Sequence, residues 1–312
     1  MQPIKCKDIV YGNFEIKEPV LIELYNSVPI QRLKGISQWL PDRFDKSKTF
    51  TRFEHSIGVM ALLDRLDASL EERIAGLIHD VSHTAFSHAI DHIVGREENE
   101  DYQDRIFAEF VKKTEIPEIL EKHGFGIEQF TDLTKFTLLE KEIPYLCADR
   151  VDYTLKQIVL ISRQSQKAKQ LLNGLVNFQN TIQFDSLENA KEFGLAYLKF
   201  QTENWASEKA VAKGAVMTEI MNEALQSKAL EFEDFFQDDD FVLGKLEKSK
   251  NPKIIEGLEK IRTENLSPVK KPKKLRYVDP TFLENGKIKR VSKEDKEFHN
   301  MIEELKKNHK DW

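Results

Sequence analysis

The 312 residues predict a mainly α-helical protein with a small α+β appendage at the C-terminal end, on three observations. Gly (13) and Pro (10) are scarce against average usage of about 7% and about 5%, which argues against a turn-rich β-sandwich and a disordered chain. Apolar residues make up 40% and charged residues 32%, a balance suited to amphipathic helices. Helix-spaced apolar residues then dominate from Gln31 to about Ala229.

Three segments follow from this reading. Residues 1–30 mix short apolar runs with Gly12 and Pro19 and form an opening segment; 31–229 form a helical domain; 230–312 form a mixed, basic appendage. Within the helical part, Ser69 with Glu72 is a capping-box pattern. Ile74, Leu77, Ile78 and Val81 give the i, i+3, i+4, i+7 stripe of a buried face. Leu175–Phe184 reads as two short strands around Gln179-Asn180, and Asp185 with Glu188 as the next helix start. In the appendage, Glu231–Asp240 holds six acidic residues and three phenylalanines. Phe232, Phe235, Phe236 and Phe241 are expected to pack within the appendage or at a subunit interface. Asn285-Gly286 between Thr281-Phe-Leu and Lys287-Ile-Lys is a hairpin signal.

The net charge of −6 and pI near 5.9 give no overall attraction to nucleic acid or an anionic membrane. Charge is uneven, however: Leu266–Trp312 carries +5 and the rest −11. The run Lys270–Arg276 is a contact for nucleic acid or an acidic partner, or a solvated linker or edge strand. Two cysteines make no disulfide framework, no apolar run has membrane-spanning length, and residues 1–8 lack the apolar stretch of a secretory signal. A cytoplasmic protein with no membrane association is expected.

Ligand-type residues concentrate in three places: Arg52-Phe-Glu-His55, then Gly76-Leu-Ile-His79-Asp80-Val-Ser-His83 through His88 to Asp91, and Cys147-Ala-Asp149-Arg150-Val-Asp152-Tyr153. Five of the eight histidines lie at 55 or between 79 and 92. On a helical wheel at about 100° per residue, with Ile74 at zero, His79, His83 and Asp80 fall near ~140°, ~180° and ~240°, opposite the apolar stripe. Gly76, near ~200°, leaves room there for a backbone or an ion. His55 aligns with Val59, Leu62 and Leu66, so its imidazole faces the core and needs a partner. That partner is either a carbonyl in the core or a metal ion. Asp149, Asp152, Tyr153 and Lys156 share one helix face, and an aspartate from it would complete two imidazoles and two carboxylates. Such a set suits Mn, Fe, Zn, Co or Mg.

In this order the residues resemble the HD phosphohydrolase superfamily, whose metal site is a His, a His-Asp pair and a later Asp. They are most similar to its deoxynucleotide triphosphohydrolase branch, over roughly residues 20–225. The resemblance implies an HD-domain helical bundle holding one divalent metal ion on His55, His79, Asp80 and Asp149. It places Arg52 and Arg150 on substrate phosphates and Tyr153 under the sugar. Gln38 then meets the 3′-hydroxyl, with Trp39 excluding a 2′-hydroxyl. His83 and His88 stand near the scissile α-phosphate, with Asp91 supporting them. Three places depart from the family pattern: Trp39 stands where a smaller residue is usual, Gln103 where a further active-site histidine is usual, and Lys156-Gln157 where an Arg-Asp pair is usual.

The implied activity is hydrolysis of a dNTP to a deoxynucleoside and tripolyphosphate, with His88 as proton donor and His83 stabilising charge. A phosphomonoesterase or phosphodiesterase on another nucleotide, or a nucleotide-binding regulatory protein with little turnover, would use the same site. A homo-oligomer is expected by resemblance.

Overall fold

The computed structural model describes residues 1–44, 50–96, 99–269 and 275–310. The opening segment pairs Ile4–Asp8 (β1) with Gly12–Ile16 (β2) as an antiparallel hairpin. Asp8 sets its turn, one oxygen accepting the Val10 and Tyr11 N–H groups at 2.7 and 3.1 Å. Gly12 supplies the positive φ of 72° that returns the chain. Pro19–Asn26 (α1) and Val28–Arg32 (α2) follow, each with proline in its first turn, where no N–H is missed. Leu40–Arg43 (α3) leads to Arg52–Arg65 (α4), which opens with a complete Thr51/Glu54 capping box.

Leu70–Ile78 (α5) starts as expected, the Ser69 hydroxyl accepting the Glu72 N–H. Glu72 does not close a capping box. Its carboxylate accepts the Leu138 and Leu139 N–H groups at 2.7 and 3.0 Å, so a tertiary contact wins over the local one. The helix stops at Ile78, before the wheel reaches Asp80 and His83. Gly76 is also used differently: a Cβ there would overlap Leu63, so its absence lets α4 and α5 close together and makes no room for an ion.

Ala89–Ile93 (α6), Tyr102–Lys112 (α7) and Ile116–Lys122 (α8) lead to Ala148–Leu160 (α9), which packs along α4. After Ser165–Asn173 (α10), Leu175–Asn177 (β3) pairs with Ile182–Phe184 (β4) around Gln179 and Asn180, both at φ 55°, as a type I′ turn requires. Leu187–Phe200 (α11) is capped by Ser186; Asp185, one residue earlier, receives the Asn189 side-chain amide.

Glu208–Gln226 (α12), Asp239–Lys248 (α13) and Pro252–Thr263 (α14) build a second apolar cluster with α6 and Phe86. Phe235 is buried in it, whereas Phe241 is exposed. The Asn285-Gly286 turn joins Thr281–Glu284 (β5) to Lys287–Arg290 (β6). β5 lies parallel to β4, giving the sheet order β3-β4-β5-β6. Val291–Glu294 (α15) and Lys296–Lys310 (α16) finish the fold.

Apolar packing crosses the 229/230 line in both directions. Val278, Phe282, Phe298 and Ile302 join the main core, as do Val10 to Leu24 of the opening segment, while Met217 to Ala224 join the second cluster. Lys270–Lys274 lie outside the described residues. Among the described residues no helix is long and apolar enough to cross a membrane.

Gly257 of α14 meets Ile220 of α12, where a Cβ would come within 2.6 Å. Gly257→Ala is therefore expected to lower stability by about 1 kcal/mol, overpacking outweighing the gain in helix propensity. A urea midpoint that falls at constant m-value checks this; an unchanged midpoint refutes it.

Candidate metal centre

His55 bridges α4 and α9. Its Nδ1 lies 2.7 Å from Asp152 Oδ2 and its Nε2 2.9 Å from Asp149 Oδ1. With the Nδ1–H donated to Asp152, the Nε2 lone pair is presented to the centre. His79 sits at the C-terminal end of α5, where its Nδ1–H donates to the Gly76 carbonyl at 2.8 Å. Its Nε2 is buried and has no partner. A buried ring nitrogen left so is costly, and a metal ion would satisfy it.

The carboxylates converge on the same point. Asp80 Oδ1 is 3.5 Å from His79 Nε2, Asp80 Oδ2 is 3.8 Å from His55 Nε2, and Asp149 Oδ1 is 4.0 Å from His79 Nε2. Donor atoms of His55, His79 and Asp80 all lie within 4.8 Å of one another, a spacing that one ion with bonds of about 2 Å can draw together. The donor set therefore fits one divalent cation.

Burial opposes charge throughout the centre, and neighbours decide the outcome. Burial raises the Asp80 carboxyl, but Arg52, His79 and His83 outweigh it and hold Asp80 well below the usual range. Burial likewise opposes ionised Asp149, which contact with His55 draws down to about 2. Burial disfavours a charged His55, yet its bonds to Asp149 and Asp152 raise it to about 9, so a cation bound at Nε2 would take the place of a proton there. For His83, burial and then the Arg52 charge push the pKa to about 3, so this imidazole is neutral.

Around this centre the expected residues fall into two groups. His83 Nε2 is 3.2 Å from Asp80 Oδ1, brought there by a turn after α5 and not by a continued helix. The His83 and His88 ring centres are 5.2 Å apart. Asp91 receives His88 Nδ1 at 3.2 Å on one oxygen and the Tyr102 N–H at 2.9 Å on the other. The Tyr153 ring lies 6.3 Å from that of His55, and its hydroxyl is 2.6 Å from that of Tyr197. Gln103 donates to the His79 carbonyl at 3.3 Å and meets Ser82.

The second group is committed to the fold. Arg52 donates to Asp80 Oδ2, Ser87 Oγ and the Gln38 carbonyl at 2.9, 3.0 and 3.1 Å. Arg150 donates to the Lys141 and Tyr145 carbonyls and to Cys147 Sγ. Gln38 keeps a buried, unpartnered side-chain oxygen, and Trp39 packs half-buried on the main core. Gln157 is buried, about 12 Å along α9 from Asp149 at 1.5 Å per residue.

Sequence reasoning missed four features. Asp152 is the partner of His55 Nδ1. Lys156 and Tyr11 both donate to Asp152. Glu140 stands beside Asp149 and Cys147, pushed up to about 8 by burial and then the Asp149 charge. Arg276, from the C-terminal part, pairs with buried Glu100. The i, i+3 spacing of Asp149 and Asp152 was the one available signal. Lys156 shares that helix face, four residues after Asp152, but Tyr11 and Arg276 lie too far from their partners in sequence to read.

Two imidazoles and two carboxylates in a helical bundle define a metal-dependent hydrolase centre, and the comparisons agree. The HD domain family model matches residues 52–153, the stretch that carries all four donors. The chain is 37% identical over 297 residues to YdhJ of Bacillus subtilis, covering 92% of this chain and 91% of that protein. It is 30% identical over 272 residues to the metal-dependent phosphohydrolase cns2 of Cordyceps militaris, covering 84% and 79%. A shorter match, 30% over 145 residues, covers 39% of this chain and 24% of the deoxynucleoside triphosphate triphosphohydrolase SAMHD1 of Gallus gallus. The fold is shared with a phosphohydrolase (BT4208) from Bacteroides thetaiotaomicron at TM-score 0.66 and 18% identity, covering 85% and 77%. The chain belongs to the HD-domain family of metal-dependent phosphohydrolases.

A Cβ on Gly58 of α4 would overlap Asp152 Oδ1 and Lys156 Nζ. Gly58→Ala is expected to displace the His55–Asp152 pair, weakening metal binding at least tenfold and lowering stability by about 1–3 kcal/mol. Retained metal content in the folded variant would contradict the site geometry.

Proposed function

We propose that the chain hydrolyses a deoxynucleoside triphosphate at the α-phosphate, giving a deoxynucleoside and tripolyphosphate. The observation that supports this reading is the run from the candidate metal donors through His83 to His88 and Asp91, in which His88 would stand near a bound cation as proton donor. A divalent ion bound there would polarise a phosphoryl oxygen and lower the pKa of water. His83, 3.2 Å from Asp80 Oδ1, stands where charge would develop on the reacting phosphate. His88, held by Asp91 and partly exposed, gives the leaving 5′-oxygen its proton. Tyr153, backed by Tyr197 and Trp205, offers a flat face for the sugar. The match to SAMHD1 supports the dNTP choice.

One observation favours a second reading, a phosphomonoester or phosphodiester of another nucleotide. Arg52 commits all three guanidinium nitrogens to the protein, one of them to Asp80, and Arg150 commits Nη1, which leaves less fixed positive charge for a triphosphate tail.

Products separate the two. With Mn²⁺ and a nucleotide panel, tripolyphosphate is expected; inorganic phosphate or a released monophosphate would establish the second reading. His79→Ala with Asp80→Ala should abolish metal content and turnover together. His88→Ala should lower kcat by about 10²–10⁴ with metal content unchanged, and an unchanged kcat would remove His88 as proton donor.

A further inference from the structure

We infer that the opening hairpin is a working part of the metal centre: Asp8 and Tyr11 are positioning residues that act on His55 through Lys156 and Asp152. The inference rests on the metal reading of the site and is independent of which nucleotide is hydrolysed.

The Asp152 carboxylate is fully buried and its two oxygens have separate partners. Oδ2 accepts His55 Nδ1–H at 2.7 Å. Oδ1 accepts the Lys156 ammonium at 2.6 Å and the Tyr11 hydroxyl at 2.9 Å. The ammonium, itself only 1% exposed, reaches a second carboxylate, Asp8 Oδ2, at 3.2 Å, and lies 5.2 Å from the Tyr11 ring centre. Asp8 binds the turn N–H groups of Val10 and Tyr11 with its other oxygen, so the hairpin turn fixes where both groups stand.

Apolar residues such as Val10 and Ile16 would suffice to dock a hairpin on this core. Three buried charges and a buried phenol are an expensive way to do so, unless their placement serves the group they surround. With both donors on Oδ1, the Asp152 carboxylate cannot swing, and Oδ2 remains the acceptor that keeps the proton on His55 Nδ1. That leaves Nε2 free for the cation, the orienting role that carboxylates play behind metal-bound imidazoles.

The test is Co²⁺ binding to full-length Tyr11→Phe and Asp8→Asn, by titration of the chelator-stripped protein and by its visible absorption spectrum. Unfolding midpoints in chelator and the remote variant Gly257→Ala serve as stability controls. The expected result is a Co²⁺ dissociation constant raised tenfold or more in both variants, an altered spectrum, and wild-type binding by Gly257→Ala. Should Asp8→Asn fail to fold, Tyr11→Phe, which removes one hydroxyl, decides alone. Binding within twofold of wild type in the folded variants overturns the inference, as does an equal loss in Gly257→Ala. Absence of Co²⁺ binding by the wild-type protein would overturn the metal reading itself.

Discussion

A single imidazole held at both nitrogens organises this protein. His55 touches two carboxylates one helical turn apart on α9, and that spacing puts both on one face. The ring therefore clamps α4 to α9 and at the same time fixes the direction in which its lone pair points. Removing one member of such a buried set strands the charge of the others, which typically costs about 3–5 kcal/mol. The close approach that permits the clamp comes from Gly58, whose missing Cβ leaves space for Asp152 and Lys156.

The charges around the clamp are distributed unevenly. Asp80 has Arg52 at 2.9 Å, and Asp152 has Lys156 at 2.6 Å. Asp149 has only the imidazole of His55 among its described ion-pair partners within 3 Å, and Glu140 beside it is held toward its neutral form. Negative charge is thus in surplus at Asp149. It lies on the side where the centre opens, since Asp149 keeps 24% side-chain exposure while His55, His79 and Asp80 keep 5% or less. A divalent cation would neutralise that surplus and satisfy His79 Nε2 in one step.

Local grammar made much of the fold legible. The Asn285-Gly286 turn falls where its residue types favour positive φ, Gln179-Asn180 turns at positive φ with only Asn180 suited to it, and Ser69 caps the helix it was expected to open. Patterns that assume continuity were less successful. The wheel carried His79, Asp80 and His83 on one helix, but α5 stops at Ile78 and a turn makes the juxtaposition instead. Glu72 and Gly76 were read locally and serve tertiary contacts. His55 and Asp149 could be named because their types and order are distinctive. The Tyr11–Asp152 bond could not, because 141 residues separate its partners and Tyr11 lies in no spacing pattern.

The same contrast bears on how the substrate side is built. The guanidinium groups nearest the centre hold the protein together: Arg52 fixes Asp80, and Arg150 ties the loop before α9. Half-buried Tyr153 borders the centre on another side. Tyr153, Tyr197 and Trp205 form a cluster with ring centres 4.9–6.1 Å apart next to His55. Arg276, paired with buried Glu100, also lies close enough to Tyr197 to favour its ionised form. Arg276 is carried by the C-terminal part, which is woven into the molecule through β5 against β4 and through Phe298 against Gly194. Fixing that part to the main core holds Arg276 in a constant position relative to the candidate metal donors, which a tethered appendage could not do.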